Sequence, residues 1–128
     1  MIVVLDAWAV MALLQDEPRA SEVERMVAEG KAVMSAINLG EVLYALLRSH
    51  GAEVAASRVS AIRQTVRVVQ PDWPLVERAA GVKAAGGISY ADAFCVATAL
   101  RAGAPIATGD PEILGLSDVV ESIDLRAP

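Results

Sequence analysis

Short Val- and Ile-rich runs alternate along this chain with stretches of helical periodicity. Strand-length apolar runs fall at 2–6, 32–36, 66–70, 105–108 and 119–123. Helical patterns occupy 8–15, 19–29, 38–50, 52–64, 74–85 and 90–102. Continuous apolar runs are the mark of parallel strands covered on both faces. The alternation therefore predicts an α/β domain with a short, mostly parallel central sheet flanked by helices. No linker, repeat or low-complexity segment divides the 128 residues, so we expect a single domain over 1–128.

Two consecutive helices without an intervening strand imply an αα-hairpin, broken at His50-Gly51, where Gly51 suits the position just past a helix end. In the first of these helices, Leu39, Val42, Leu43, Leu46 and Leu47 form one core-facing stripe. Asn38, Glu41, Ala45 and Arg48 lie on the other side, either as a solvated face or as part of a site. Ser35 is placed to cap this helix. Asp72-Trp73-Pro74 reads as a loop and helix start, with Pro74 in the first turn.

Composition excludes several functions. A 55% hydrophobic fraction is high, yet no uncharged run approaches the roughly 18–20 residues of a membrane span. The opening Met1–Asp6 lacks the basic region and cleavage site of a signal peptide, so it is expected to be a mature N-terminus and first strand. Cys95 is the only cysteine, which forbids an intrachain disulfide and points to a reducing cytoplasm. One Cys and one His, His50, do not make a zinc site of the usual kind. His50 reads as a helix C-terminal residue and Cys95 as a small core residue rather than a nucleophile. The net charge of −5 argues against general nucleic-acid affinity, though not against a nuclease whose metal and local arginines handle the phosphate.

Four acids stand where such a sheet would bring them together: Asp6, Glu41, Asp92 and Asp110. Asp6 and Asp110 follow strand candidates, and ligands bind outside the carboxyl ends of parallel strands. Asp92 is the only charge between Lys83 and Arg101, in a helix apolar nearly all round. An unpaired buried carboxylate is costly, so Asp92 needs either the dipole of its helix N-terminus or a cation. Clustered carboxylates repel by about 4 kcal/mol per pair at 4 Å and an effective dielectric of 20. Oxygen-only ligands suit Mg²⁺ or Mn²⁺.

The ordered set of motifs resembles the PIN-domain family, and within it the VapC-type toxins of bacterial toxin–antitoxin pairs. The resemblance spans the chain. It rests on Val4-Leu5-Asp6, Ser35-x-x-Asn38-x-x-Glu41, Tyr90-Ala91-Asp92-Ala93-Phe94 with Ala97-Thr98-Ala99, and Thr108-Gly109-Asp110. It implies a three-layer PIN-like fold and a metal-dependent endoribonuclease with Asp6, Glu41, Asp92 and Asp110 as its catalytic acids. Asp6, Asp92 and Asp110 would ligate Mg²⁺ or Mn²⁺, with Asn38, Thr108 and Glu112 as accessory residues. It further implies an RNA substrate, a cognate antitoxin and a homodimer. Arg48, on the Glu41 face, is the better candidate for RNA phosphate; Arg101 reads as solvated.

The chain departs from the family at Trp8, where a small hydroxyl or amide residue is usual. Trp8 has two readings: a core residue against the αα-hairpin, or a ring offered to an RNA base or an antitoxin side chain. Three alternatives remain. A haloacid-dehalogenase-type phosphatase needs a second Asp at position 8, and a receiver domain needs a late Lys, whereas only Lys31 and Lys83 are present. A catalytically inactive PIN fold that only binds a partner is the third.

Overall fold

The computed structural model describes residues 1–126. Five short strands form one sheet in the order β3-β2-β1-β4-β5, and every pairing among them is parallel. They are β1 (Val3–Leu5), β2 (Ala32–Ser35), β3 (Arg67–Val69), β4 (Ile106–Thr108) and β5 (Ser122–Asp124). Six helices connect them: α1 (Ala7–Leu14), α2 (Ala20–Ala28), α3 (Ala36–Thr65), α4 (Trp73–Ala84), α5 (Tyr90–Ala102) and α6 (Pro111–Leu114).

Side chains alternate across the three central strands, and both sides are buried. Val3, Leu5, Ala32, Met34 and Ala107 face one apolar core, filled from α1, α2 and α3. Val4, Val33 and Ile106 face a second core, filled from α4, α5 and α6. This two-sided burial is why the strands read as unbroken apolar runs. Each buried Val or Leu contributes roughly 1.5–3 kcal/mol relative to exposure. The result is the parallel sheet flanked by helices expected from the alternation, in the three layers that the family resemblance implies.

The chain passes from β1 to β2 and β3 on one side, then crosses to β4 and β5 on the other. The reversal lies between β1 and β4, whose register pairs Val4 with Ile106 and Leu5 with Ala107. The next residues along that register are Asp6 and Thr108. Such a switch point is where open parallel sheets leave a crevice beyond their carboxyl ends.

The expected αα-hairpin is present: α3 is two helices that meet at Gly51, whose φ of 82° and ψ of 173° no helix accommodates. Ser35 caps its first half as expected, its hydroxyl accepting the Ile37 amide at 3.2 Å, and the helix starts at Ala36, two residues before the periodic pattern. Other local expectations shift. The core stripe keeps Leu39, Val42 and Leu46, with Leu43 partly buried, but Leu47 is 45% exposed. Residues 47–54 all lie in solvent, so the hairpin tip stands clear of the sheet. β5 begins three residues later than expected: Val119 is exposed, and Leu125 is the buried anchor. The four-residue α6 was too short to show a period.

Candidate active site

The acids gather where four helices begin. Asp6 is the N-cap of α1, and its Oδ1 accepts the Ala9 amide at 2.8 Å. Its Oδ2 accepts the Thr108 hydroxyl. The Thr108 Oγ1 in turn accepts the Asp110 amide at 2.9 Å, so one buried hydroxyl joins the ends of β1 and β4. Thr108 thus gives Asp6 the support that position 8 does not provide. Asp110 is the N-cap of α6, accepting the Glu112 amide at 2.9 Å. Asp92 lies in the first turn of α5, behind the cap Ser89. Its neighbours through Ala99 are all buried, as the apolar pattern of this helix required.

Glu41 comes from α3. The Asn38 Nδ2 donates to Glu41 Oε1 and to the Ala91 carbonyl, both at 3.0 Å. Asn38 therefore ties α3 to the start of α5 and fixes Glu41 beside the other acids. Its Oδ1 is buried without a protein partner among the described residues.

Carboxylate oxygens of Asp92, Asp110 and Glu112 all lie within 4.8 Å of one another. Glu112 thus joins this group directly, while both Asp6 oxygens are engaged by α1 and Thr108. Burial pushes the Asp6 carboxyl up to about 7 despite the Thr108 and Ala9 bonds, and the charges of Asp110 and Glu41 add to the rise. Asp92 is also pushed up to about 7, by burial first and then by the neighbouring Asp110. Carboxylates this close repel, and either a proton or a cation between them relieves the repulsion. A hard divalent cation is the natural replacement for that proton, and the donor set is oxygen only, as Mg²⁺ or Mn²⁺ requires. The residues present fit such an ion.

A cavity of about 980 Å³ opens beside the acids. Asp6, Glu41, Asp92 and Asp110 line one part; Trp8, Met11 and Tyr44 line another. Sequence reasoning missed Tyr44, although its spacing of three residues from Glu41 on a helix implies a shared face. It also missed Arg126 from the far end of the chain. Arg19, at a left-handed φ of 71°, holds that segment by donating to the Asp124 carbonyl at 2.6 Å.

Trp8 belongs to neither apolar core and is 36% exposed. Its six-membered ring lies on Gly109, where any Cβ would overlap Cζ2, Cη2 and Cε2 of the indole. Arg48 donates to the Tyr44 hydroxyl at 2.9 Å and sits 5.7 Å from that ring's centroid. Arg101 is not simply solvated: it pairs with Asp72 at 2.6 Å and links α5 to α4. His50 is exposed and bonds to Ser49 at 2.7 Å. Cys95 is fully buried; burial and then the nearby carboxylates push its thiol up, which suppresses the thiolate.

The sequence matches the PIN domain family model over residues 3–118. The chain belongs to the PIN-domain family. No curated protein matches it. Solved structures share the fold at low identity. DNA-bound VapBC from Salmonella typhimurium aligns at a TM-score of 0.79 and 15% identity, over 98% of each chain. VapBC-1 from nontypeable Haemophilus influenzae aligns at 0.72 and 20%, over 99% of this chain and 100% of that one. Mycobacterium tuberculosis VapC20, a sarcin-ricin loop cleaving toxin, aligns at 0.72 and 23%, over 93% of this chain and 97% of that one. The fold is thus that of the VapC-type members of the family.

Proposed function

We propose that this protein is a metal-dependent endoribonuclease and the toxin of a toxin–antitoxin pair. The observation that carries this reading is the meeting of the Asp92, Asp110 and Glu112 oxygens within 4.8 Å, beside buried Asp6 at the sheet's switch point. Family membership supports nuclease chemistry and sets aside the phosphatase and receiver readings. VapC20 is a toxin that cleaves the sarcin-ricin loop, which supports RNA as the substrate class. VapBC from Salmonella typhimurium and VapBC-1 from nontypeable Haemophilus influenzae share the fold, which supports an antitoxin partner. We further propose a homodimer in the cytoplasm. Among the described residues, no helix is long and apolar enough to cross a membrane.

In this reading Asp6, Asp92 and Asp110 hold Mg²⁺ or Mn²⁺, with Glu112 as an accessory acid. When bound, the ion would neutralise charge on the phosphate and activate water for attack. The remaining steps belong to the chain. Thr108 keeps Asp6 oriented by donating to it. Asn38 keeps Glu41 facing the same space, positioned to take a proton from the attacking water. The phosphodiester P–O bond breaks as the P–O bond from water forms, and the leaving oxygen takes up a proton. Arg48, on the outer turn of α3, is available to an RNA phosphate.

The test is cleavage of structured RNA with Mg²⁺ or Mn²⁺, stopped by EDTA. Loss of an outer partner of a metal site costs 10- to 100-fold, so Asp6→Asn or Asp92→Asn should cost at least about a hundredfold. Cleavage at the wild-type rate by either folded variant would overturn the site. Co-expression checks the partner: growth arrest by this chain should be relieved by its neighbouring gene and absent in Asp6→Asn.

A further inference from the structure

We propose that Trp8 is a stacking platform that binds one unpaired nucleobase of the RNA beside the acidic site. This deepens the ribonuclease reading and rests on it. Three observations converge. Trp8 follows Asp6 by two residues and lines the same cavity as Asp6, Asp92 and Asp110. Its ring is held against the Gly109 backbone, in the link between Thr108 and Asp110, so its orientation is set before any ligand arrives. Yet the side chain is not absorbed into either core and keeps 36% of its surface exposed.

The cavity separates two chemistries. Its acidic part repels phosphate unless a cation is bound. Its apolar part, with Trp8, Met11 and Tyr44, suits the flat face of a base. Tyr44 is 59% exposed, which gives the cavity a second aromatic surface. A base inside a duplex has its faces covered by its neighbours; a base in a loop can be splayed out and stacked on an aromatic ring. A ring already fixed loses little conformational freedom on binding. A glycine at 109 is what permits this placement, since a Cβ there would push the ring away. Trp8 is thereby a substrate-binding residue, with Gly109 positioning it.

The indole itself reports the contact. Trp73 is the only other tryptophan, 70% exposed on α4 and absent from the cavity lining, so Trp73→Phe leaves Trp8 as sole emitter. With Ca²⁺ in place of Mg²⁺, a single-stranded oligoribonucleotide of mixed sequence should quench Trp8 emission. An abasic ribose-phosphate chain of equal length should not, and a fully paired duplex should do so only weakly. Equal responses to all three, or none to the single strand, would overturn the proposal. In steady-state cleavage, Trp8→Leu keeps an apolar side chain on Gly109 without an aromatic face. It should raise KM roughly 5- to 150-fold, the worth of one stacked base, with kcat little changed. Trp8→Phe should recover most of that loss. An unchanged KM in Trp8→Leu, a Phe variant as poor as Leu, or a loss of antitoxin binding alone would also overturn it. The two readings fail separately. Quenching by single strands without any metal-dependent cleavage removes the nuclease and leaves the platform; cleavage without base-dependent quenching removes the platform alone.

Discussion

At the scale of single residues, the site depends on one buried hydroxyl. Thr108 donates to Asp6 and accepts from the Asp110 amide, so it serves two acids at once. Thr108→Val keeps the shape but leaves buried Asp6 short of a donor. We expect a loss of about 1–3 kcal/mol of stability. The same variant should lose about 10- to 100-fold in cleavage or metal affinity, and Thr108→Ser should retain most of both. Equilibrium unfolding and a metal titration check this. The acids also set a pH dependence. Asp6 and Asp92 sit near 7 in the folded chain, against an ordinary 3.8. Between those values the folded state holds more protons than the unfolded one, so metal-free stability should fall as pH rises from about 4 to about 7. Saturating Mn²⁺ should flatten the slope, because the cation replaces the protons. A thermal midpoint that is flat over this range in EDTA would contradict the burial of these acids.

At the scale of elements, α1 lies in close contact with the link from β4 to α6. Gly109 does not need a left-handed backbone; the atoms nearest to a Cβ there all belong to the Trp8 ring, which excludes it. Gly109→Ala should therefore cost about 1–3 kcal/mol through overpacking. In a Trp8→Ala background the same change should be nearly neutral. Thermal unfolding of the four proteins of this cycle measures the coupling; additive effects would mean that the ring does not rest on Gly109. Gly51 is the opposite case. Its φ of 82° is the left-handed backbone that ends one half of α3 and begins the next, far out on the exposed hairpin tip.

At the scale of the whole molecule, the sheet holds acids from distant parts of the chain together against their repulsion. Metal binding should then stabilise the fold, by about 2.7 kcal/mol at a hundredfold excess over Kd. Asp92→Asn should reduce that gain, and a thermal midpoint unmoved across a Mn²⁺ titration would argue against a preformed site. Much of this was readable beforehand, because it is periodic or local. Two-sided burial of Val3, Val4 and Leu5 shows as an unbroken apolar run, and isolation of Asp92 in an apolar helix shows as a charge that needs a partner. Strand exits at Asp6 and Asp110 follow from the same alternation. The cap of α3 at Ser35 was readable too; the end of its Leu stripe at an exposed hairpin tip and the shift of β5 towards a buried Leu125 were not, because tertiary packing overrode the pattern there. What the tertiary structure alone decided are contacts between segments with no common period. The register of β1 with β4 sets the Thr108 hydroxyl on Asp6, the short α6 swings Glu112 to Asp92 and Asp110, and the crossing of α1 over Gly109 lays Trp8 beside the acids. Sequence patterns record which face of each element is buried; they do not record which elements meet, because that is fixed by how the faces pack.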